Sequence, residues 1–256
     1  MIDAGTYGSI NWVDLSTPDV AASVAFYGEL LGWDFSTSTT PMGEYTIAKV
    51  GEREVAGMME QDPASADGPP VWTLFFYVED MGATLLKVKA AGGTVLEAPF
   101  DIPDGPRICV VTDPTGAMLA LLAGGVRPEG EYLFASPGAV CWFELSTDGI
   151  AAAELFYTSV FGWTGSTLDV GTKGYTMFTI GGEDVAGMKP LPDDAAAANV
   201  PYWITYFVVA DCAAAERSAV ELGGAVLRRA VEIPEGRYAI LADPHGAAFA
   251  VMEYTL

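Results

Sequence analysis

The sequence predicts an α+β protein made of two tandem copies of one domain, each copy built from paired βαβββ units. Three observations carry that expectation. INWVDLST from Ile10 returns as VCWFELST from Val140, an offset of 130 residues. The correspondence then runs in order through the half, with Phe26-Tyr27 matching Phe156-Tyr157, Gly32-Trp33 matching Gly162-Trp163, Tyr45 matching Tyr175, and Val55-Ala-Gly-Met58 matching Val185-Ala-Gly-Met188. One inserted residue shifts the offset to 131, pairing Trp72 with Trp203, Asp80 with Asp211, Gly92-Gly93 with Gly223-Gly224 and Ile102-Pro103 with Ile233-Pro234. DPTG at Asp113 and DPHG at Asp243 restore it to 130. Ordered coincidence of this length means duplication. The third observation is that a strand-helix-strands order occurs twice inside each half.

The elements follow from local pattern. Ile10, Trp12 and Asp14 alternate with Asn11, Val13 and Leu15, the period of a strand. Thr17 offers a helix cap with Pro18 in the first turn, and Phe26, Tyr27 and Leu30 form one stripe before Gly32 stops the helix. Thr147 plays the same part for a helix with the stripe Ala153, Phe156, Tyr157 and Val160. Strands follow around Tyr45 to Val50 and Val55 to Met59, then a proline-rich loop from Gln61 to Pro70. The order recurs with a strand from Val71 to Val78, a helix capped by Asp80 and ended by Gly92-Gly93, and strands near Thr94, at Arg107 to Val111 and at Ala117 to Leu122. Gly124 to Ser136, rich in glycine and charge, reads as the connection, so the expected domains are 1–125 and 136–256.

Composition narrows the function. The 256 residues suffice for two cores, and 34 acidic against 12 basic residues give a net charge of -22. Nucleic acids and anionic lipid surfaces are repelled by such a chain, so neither is an expected partner. Mean hydropathy is +0.29, yet the longest apolar stretch, Val200 to Ala210, is strand-sized rather than membrane-spanning. MIDAGTYGSI has neither a basic region nor a long apolar run, which predicts a cytoplasmic protein. Cys109, Cys141 and Cys212 are widely spaced and read as buried thiols, although Cys212 at a helix start could be acidified.

Four units with Phe-Tyr and a following Gly-Trp in the first helix, Gly-Gly ending the second, and DPxG before the last strand resemble the vicinal oxygen chelate superfamily. That family includes glyoxalase I, bleomycin-resistance proteins and extradiol dioxygenases, and the likeness is greatest to two-domain actinobacterial glyoxalase-like proteins. The resemblance implies that each pair of units curls into an open barrel with a cavity on its concave face. It also implies metal ligands: a His on the first strand, a carboxylate on the fourth, a His on the fifth and a Glu on the eighth. Those positions hold Trp12, Met58, Thr73 and Ala120 in the first half and Trp142, Met188, Ile204 and Ala250 in the second. None supplies imidazole or carboxylate, so no metal or other cofactor is expected.

Alternation then places Asp14 on the face of Trp12, Glu144 on that of Trp142, Phe75 and Tyr77 on that of Thr73, and Tyr206 on that of Ile204. An indole, a carboxylate and further rings suit a flat and cationic small molecule. Asp14 and Glu144 are the candidate bases if the protein is an enzyme. Arg107 and Arg237 could neutralise these carboxylates, anchor an anionic ligand group, or pair with Asp113 and Asp243. His245, the only histidine, falls in the DPHG turn and is expected to face water. Three functions stay open: metal-independent binding of a small molecule, a metal-independent lyase, isomerase or cyclase, and an interaction protein with filled cavities. The expected oligomeric state is monomer or homodimer.

Overall fold

The computed structural model describes residues 5–40, 43–61, 68–103, 105–125, 133–168, 174–192 and 200–255. The first residues of the chain and parts of the Gln61 to Pro70 loop and of the connection between halves lie outside the described residues. The first quarter runs β1 (Ile10–Thr17), α1 (Val20–Leu31), β2 (Asp34–Thr40), β3 (Gly43–Val50) and β4 (Arg53–Glu60). The second runs β5 (Val71–Val78), α2 (Met81–Ala90), β6 (Thr94–Asp101), β7 (Arg107–Thr112) and β8 (Met118–Ala123). The second half repeats this as β9 (Val140–Ser146), α3 (Ile150–Phe161), β10 (Thr164–Leu168), β11 (Tyr175–Ile180) and β12 (Glu183–Lys189), then β13 (Tyr202–Val208), α4 (Cys212–Glu221), β14 (Ala225–Ile233), β15 (Gly236–Ala242) and β16 (Ala248–Tyr254). Among the described residues no helix is long and apolar enough to cross a membrane.

Each half forms one mixed eight-stranded sheet, ordered β2-β3-β4-β1-β5-β8-β7-β6 and β10-β11-β12-β9-β13-β16-β15-β14. Helix caps correct two expectations. Asp19, not Thr17, caps α1 by accepting from Ala22 N at 2.9 Å, because its side chain sits one residue before the first turn. Gly149 precedes α3 and offers no side-chain cap, while Thr147 Oγ1 accepts from Gly149 N instead. Gly32 ends α1 in the left-handed region at φ 70°, where a side chain would be strained.

By packing, the chain divides into two compact units, and each draws on both halves. The first comprises Met1–Asn11, Thr73–Glu129 and Phe143–Trp203, and the second Trp12–Trp72, Gly130–Trp142 and Ile204–Leu256. Phe76, Tyr157, Phe161, Trp163 and Trp203 form the aromatic core of the first unit. In it the Tyr157 hydroxyl accepts from Trp203 Nε1 at 2.9 Å and donates to Asp113 Oδ2 at 3.1 Å. The other oxygen of Asp113 gathers Thr115 N, Gly116 N and Ala117 N at 2.8, 2.9 and 3.1 Å, which accounts for the DPxG motif as a turn and a core acceptor together. The second unit repeats the arrangement with Tyr27, which accepts from Trp72 Nε1 at 3.1 Å and donates to Asp243 Oδ2 at 3.4 Å amid Trp33, Phe207 and Phe249. Burial, and secondarily the neighbouring aspartates, holds both phenols well above the ordinary tyrosine range.

Candidate functional site

On β1, Trp12 and Asp14 point to one face, and both are buried, with 3% and 6% exposure. The Trp12 indole N–H donates to Asp14 Oδ1 at 2.7 Å and to the Tyr45 hydroxyl at 2.8 Å, and Tyr45 in turn donates to Asp14 Oδ1 at 2.7 Å. Two donors on one oxygen fix the carboxylate and meet the desolvation cost of burying it. Tyr45 belongs to β3 and must cross β4 to reach β1. Gly57 makes that crossing possible: it lies in register with Asp14, and a Cβ there would run into Asp14 Oδ1 and the Tyr45 hydroxyl. The glycine of the repeated Val-Ala-Gly-Met motif is thus a passage for a phenol.

The second half repeats the passage. Gly187 on β12 is in register with Glu144 on β9, and a Cβ at Gly187 would strike the Tyr175 hydroxyl. Glu144 is 5% exposed. It forms an ion pair with Lys189, two residues beyond Gly187 on the same face of β12.

This register also corrects the fourth-strand position. Met58 is in register with Leu15 and Met188 with Leu145, so both methionines face away from Asp14 and Glu144 and are fully buried. The positions beside the carboxylates are Gly57 with Met59, and Gly187 with Lys189. Tyr45, Tyr175, Gly57, Gly187 and Lys189 were not among the predicted site residues. The signal for Lys189 is visible in the repeat, where VAGMM becomes VAGMK.

Thr73, Phe75 and Tyr77 share one face of β5 in the first unit, with Phe75 buried and in register with Ala120, whereas Trp12 and Asp14 belong to the second unit. Trp142, half-buried, falls in the second unit and Glu144 in the first. Tyr206 is buried and its ring lies 5.8 Å from that of Tyr238. Arg107 and Arg237 are exposed. Arg107 Nη1 is 3.7 Å from Asp101 Oδ1 and Arg237 Nη2 is 2.9 Å from Glu232 Oε1, across the β6–β7 and β14–β15 pairs, so their carboxylate neighbours are these rather than Asp113 and Asp243. Shallow depressions of about 540 and 520 Å³ lie beside these two arginines.

His245 is half-buried rather than water-exposed, its backbone N–H donating to Asp243 Oδ1 at 3.0 Å and its Nε2 buried. Burial raises the Cys212 thiol to about 11 and the Cys141 thiol to about 12, so the helix start does not acidify Cys212.

Residues 9–121 match the Glyoxalase/Bleomycin resistance protein/Dioxygenase superfamily, and residues 142–252 match a glyoxalase-like domain. A protein of Streptomyces peucetius named "Anthracycline biosynthesis protein DnrV" is 38% identical over 261 aligned residues, covering 96% of this chain and 93% of its own. The chain belongs to the glyoxalase/bleomycin resistance protein/dioxygenase superfamily. "Anthracycline biosynthesis protein DauV" of Streptomyces sp. strain C5 is similar to the same extent, 38% over 96% of this chain and 93% of that protein. The Mn(II)-bound glyoxalase from Novosphingobium aromaticivorans shares the superfamily fold, with a TM-score of 0.66 at 14% identity over 97% of this chain and 82% of its own.

Two tandem glyoxalase-type domains therefore make up the chain. The divalent metal that the superfamily fold implies does not fit the residues present: Trp12 takes the first-strand place, Gly57 and Met59 face the site from the fourth strand, and Thr73 and Ala120 stand on the fifth and eighth. These side chains do not provide the oxygen and imidazole donors that such an ion needs. Among the described residues no group of three His, Cys, Asp or Glu side chains is placed to hold a metal ion.

Proposed function

We propose that the protein is a metal-independent small-molecule-binding member of this superfamily, and that its ligand is a flat, cationic aromatic of the anthracycline type. The observation that carries this reading is the hydrogen-bonded node of Trp12, Tyr45 and Asp14 at the first-strand position: a π-face, a phenol and an oriented carboxylate in place of a metal ligand. Aromatic walls with a few placed polar groups select planar rings, and a carboxylate beside an indole adds charge pairing and cation–π attraction. The names of DnrV and DauV support the choice of ring system, and the net charge of -22 favours approach of a cation.

Calorimetric titration of the full chain with doxorubicin tests the reading. Saturable binding is expected, unaltered by EDTA, and Asp14→Asn is expected to weaken it by about 1.5 to 3 kcal/mol, the scale of a hydrogen bond to a charged group. Equal affinity of wild type and Asp14→Asn, or loss of binding on chelation, would overturn it. Recovery of a chemically altered ligand would move the protein to the lyase, isomerase or cyclase reading.

A further inference from the structure

The two halves differ at the start of their second helix. In the second half the carboxylate of Glu253 on β16 accepts at 2.9 Å from the backbone N–H of Cys212, the first residue of α4, while the Asp211 cap takes Ala214 N at 2.9 Å. Glu253 lies in register with Arg237 on β15, and the hydrogen bond and charge of Glu232, followed by the charge of Glu253, raise the Arg237 guanidinium above its ordinary range. A carboxylate is thus seated on a helix N-terminus beside an arginine, where an N–H donor, the helix dipole and a guanidinium all favour it. In the first half Met81 and Arg107 hold the places of Cys212 and Arg237, but Ala123, in register with Arg107, holds the place of Glu253. Its methyl group offers no acceptor to Met81 N, one of the N–H groups that no helical turn can satisfy. Where the longer side chain would lie is the depression of about 540 Å³, lined by Met81, Arg107 and Ala123. Arg107 stands 3.7 Å from Asp101, against 2.9 Å between Arg237 and Glu232.

A paired substitution changes the wall of the same depression. In the second half Glu216 of α4 accepts from Ala230 N on β14. The first half has Leu85 and Pro99 at those two places, so the strand presents no N–H there and the helix presents an apolar side chain instead of a carboxylate. We infer that this depression is a binding subsite for a small organic carboxylate, whose oxygens take the Met81 N–H and the Arg107 guanidinium while its apolar body lies on Leu85 and Pro99. Glu253 is the built-in counterpart of that ligand in the second half. Asp80 does not oppose it: its Oδ1 accepts from Ala83 N at 2.9 Å, as Asp211 Oδ1 does from Ala214 N beside the seated Glu253. Glu79, at the place of Ala210, adds one acidic group to the rim and holds the affinity in the millimolar range. The residues of this subsite all belong to the first unit, and none is shared with the node of Trp12, Tyr45 and Asp14, so the inference goes beyond the cation-binding reading.

Titration of the isotope-labelled full chain with sodium butyrate at constant ionic strength, followed by amide NMR, tests the subsite. The Met81 amide signal is expected to shift saturably, while butyramide, of the same shape and without charge, leaves it in place. Butyrate is expected to bind about fourfold tighter than acetate, the scale of removing one of its two further methylenes from water. Ala123→Glu is expected to move the Met81 signal without butyrate, to abolish the response to it and to raise the melting temperature. In the reverse exchange, Glu253→Ala, the Cys212 amide is expected to gain a response to butyrate that wild type lacks. Doxorubicin is expected at the Asp14 node and butyrate at Met81, so failure of either titration leaves the other reading intact. A Met81 signal that butyrate leaves in place, or that butyramide moves equally, overturns the inference, and wild type alone decides this if the exchanged variants do not fold. Unchanged butyrate affinity in a folded Ala123→Glu variant overturns it as well.

Discussion

Tyr27 and Tyr157 each hold one hydroxyl between an indole N–H and an aspartate oxygen in a fully buried aromatic core. Tyr157→Phe would leave Trp203 Nε1 and Asp113 Oδ2 each short of a partner, at an expected cost of about 1 to 3 kcal/mol at neutral pH. The raised phenol pKa values set a pH dependence as well. Below about pH 10 native and unfolded chains both keep these protons, so the contribution is constant. Above it the unfolded chain ionises first and holds fewer protons than the native one, so stability falls with rising pH, by about 1.4 kcal/mol per pH unit for each tyrosine. The raised thiols of Cys141 and Cys212 begin the same decline near pH 8.5 to 9, their ordinary range. Urea midpoints should therefore be level from pH 7 to 8, decline gently, then steepen beyond about 10, and Tyr27→Phe with Tyr157→Phe should reduce the steepening to the share of Tyr254, whose phenol burial also raises. A glycine offers a second check on the site. Gly57→Ala puts a methyl group where Asp14 Oδ1 and the Tyr45 hydroxyl lie. The expected outcome is a loss of about 1 to 3 kcal/mol, with a weakened response to doxorubicin, measured by thermal melting and calorimetry on one sample.

At the level of elements, capping is unequal between the two halves. Asp19 and Asp211 each accept from a backbone N–H at 2.9 Å, whereas α3 starts at Gly149 with no side-chain bond. Asp19→Ala should thus cost about 1 kcal/mol in a urea melt, while Gly149→Ala removes no such bond and instead presses a Cβ on Thr115. Elements defined by apolar alternation were legible in the sequence: β5 was expected from Val71 to Val78 and spans those residues. Elements defined by neighbours were not. β2, DFSTSTT, and β10, TGSTL, are polar edge strands held by pairing with β3 and β11, and their composition gives no period to read. The site shows the same division. Trp12 and Asp14 share a face because a strand alternates, which the sequence states. Which fourth-strand residue stands beside them depends on inter-strand register, and the Asp14–Gly57 match moves the site from Met58 to Gly57 and Met59. Lys189 follows Met188, the residue that the resemblance put at the fourth-strand position, and only the register of β12 against β9 puts it on the face of Glu144.

For the whole molecule, the repeat and the packing divide the chain differently, and this has a measurable consequence. Each sheet is confined to one half, but each compact unit takes one βαβββ unit from either half, so that Tyr27 meets Asp243 and Tyr157 meets Asp113. A fragment of residues 1–125 keeps Tyr27, Trp33, Trp72 and Phe76 while losing Phe207, Phe249, Tyr157 and Trp203, the rings against which they pack. Re-exposing roughly half of some 200 Å² on each of these four side chains, at about 25 cal/mol per Å², withdraws on the order of 10 kcal/mol. That equals the whole stability of a typical domain. The fragment is therefore expected to lack a cooperative melt as a monomer and to show a weak near-ultraviolet circular dichroism signal. It also carries both Tyr27 and Asp113, one side of each shared contact, so at high concentration it should self-associate. Adding residues 136–256 should restore the tryptophan signal and a single melting transition, because each fragment then supplies the rings the other lacks. Size-exclusion chromatography with light scattering, read beside the dichroism, decides the point: a monomeric 1–125 fragment with a native spectrum and a sharp melt would mean that the cross-half aromatic cores do not hold the units together.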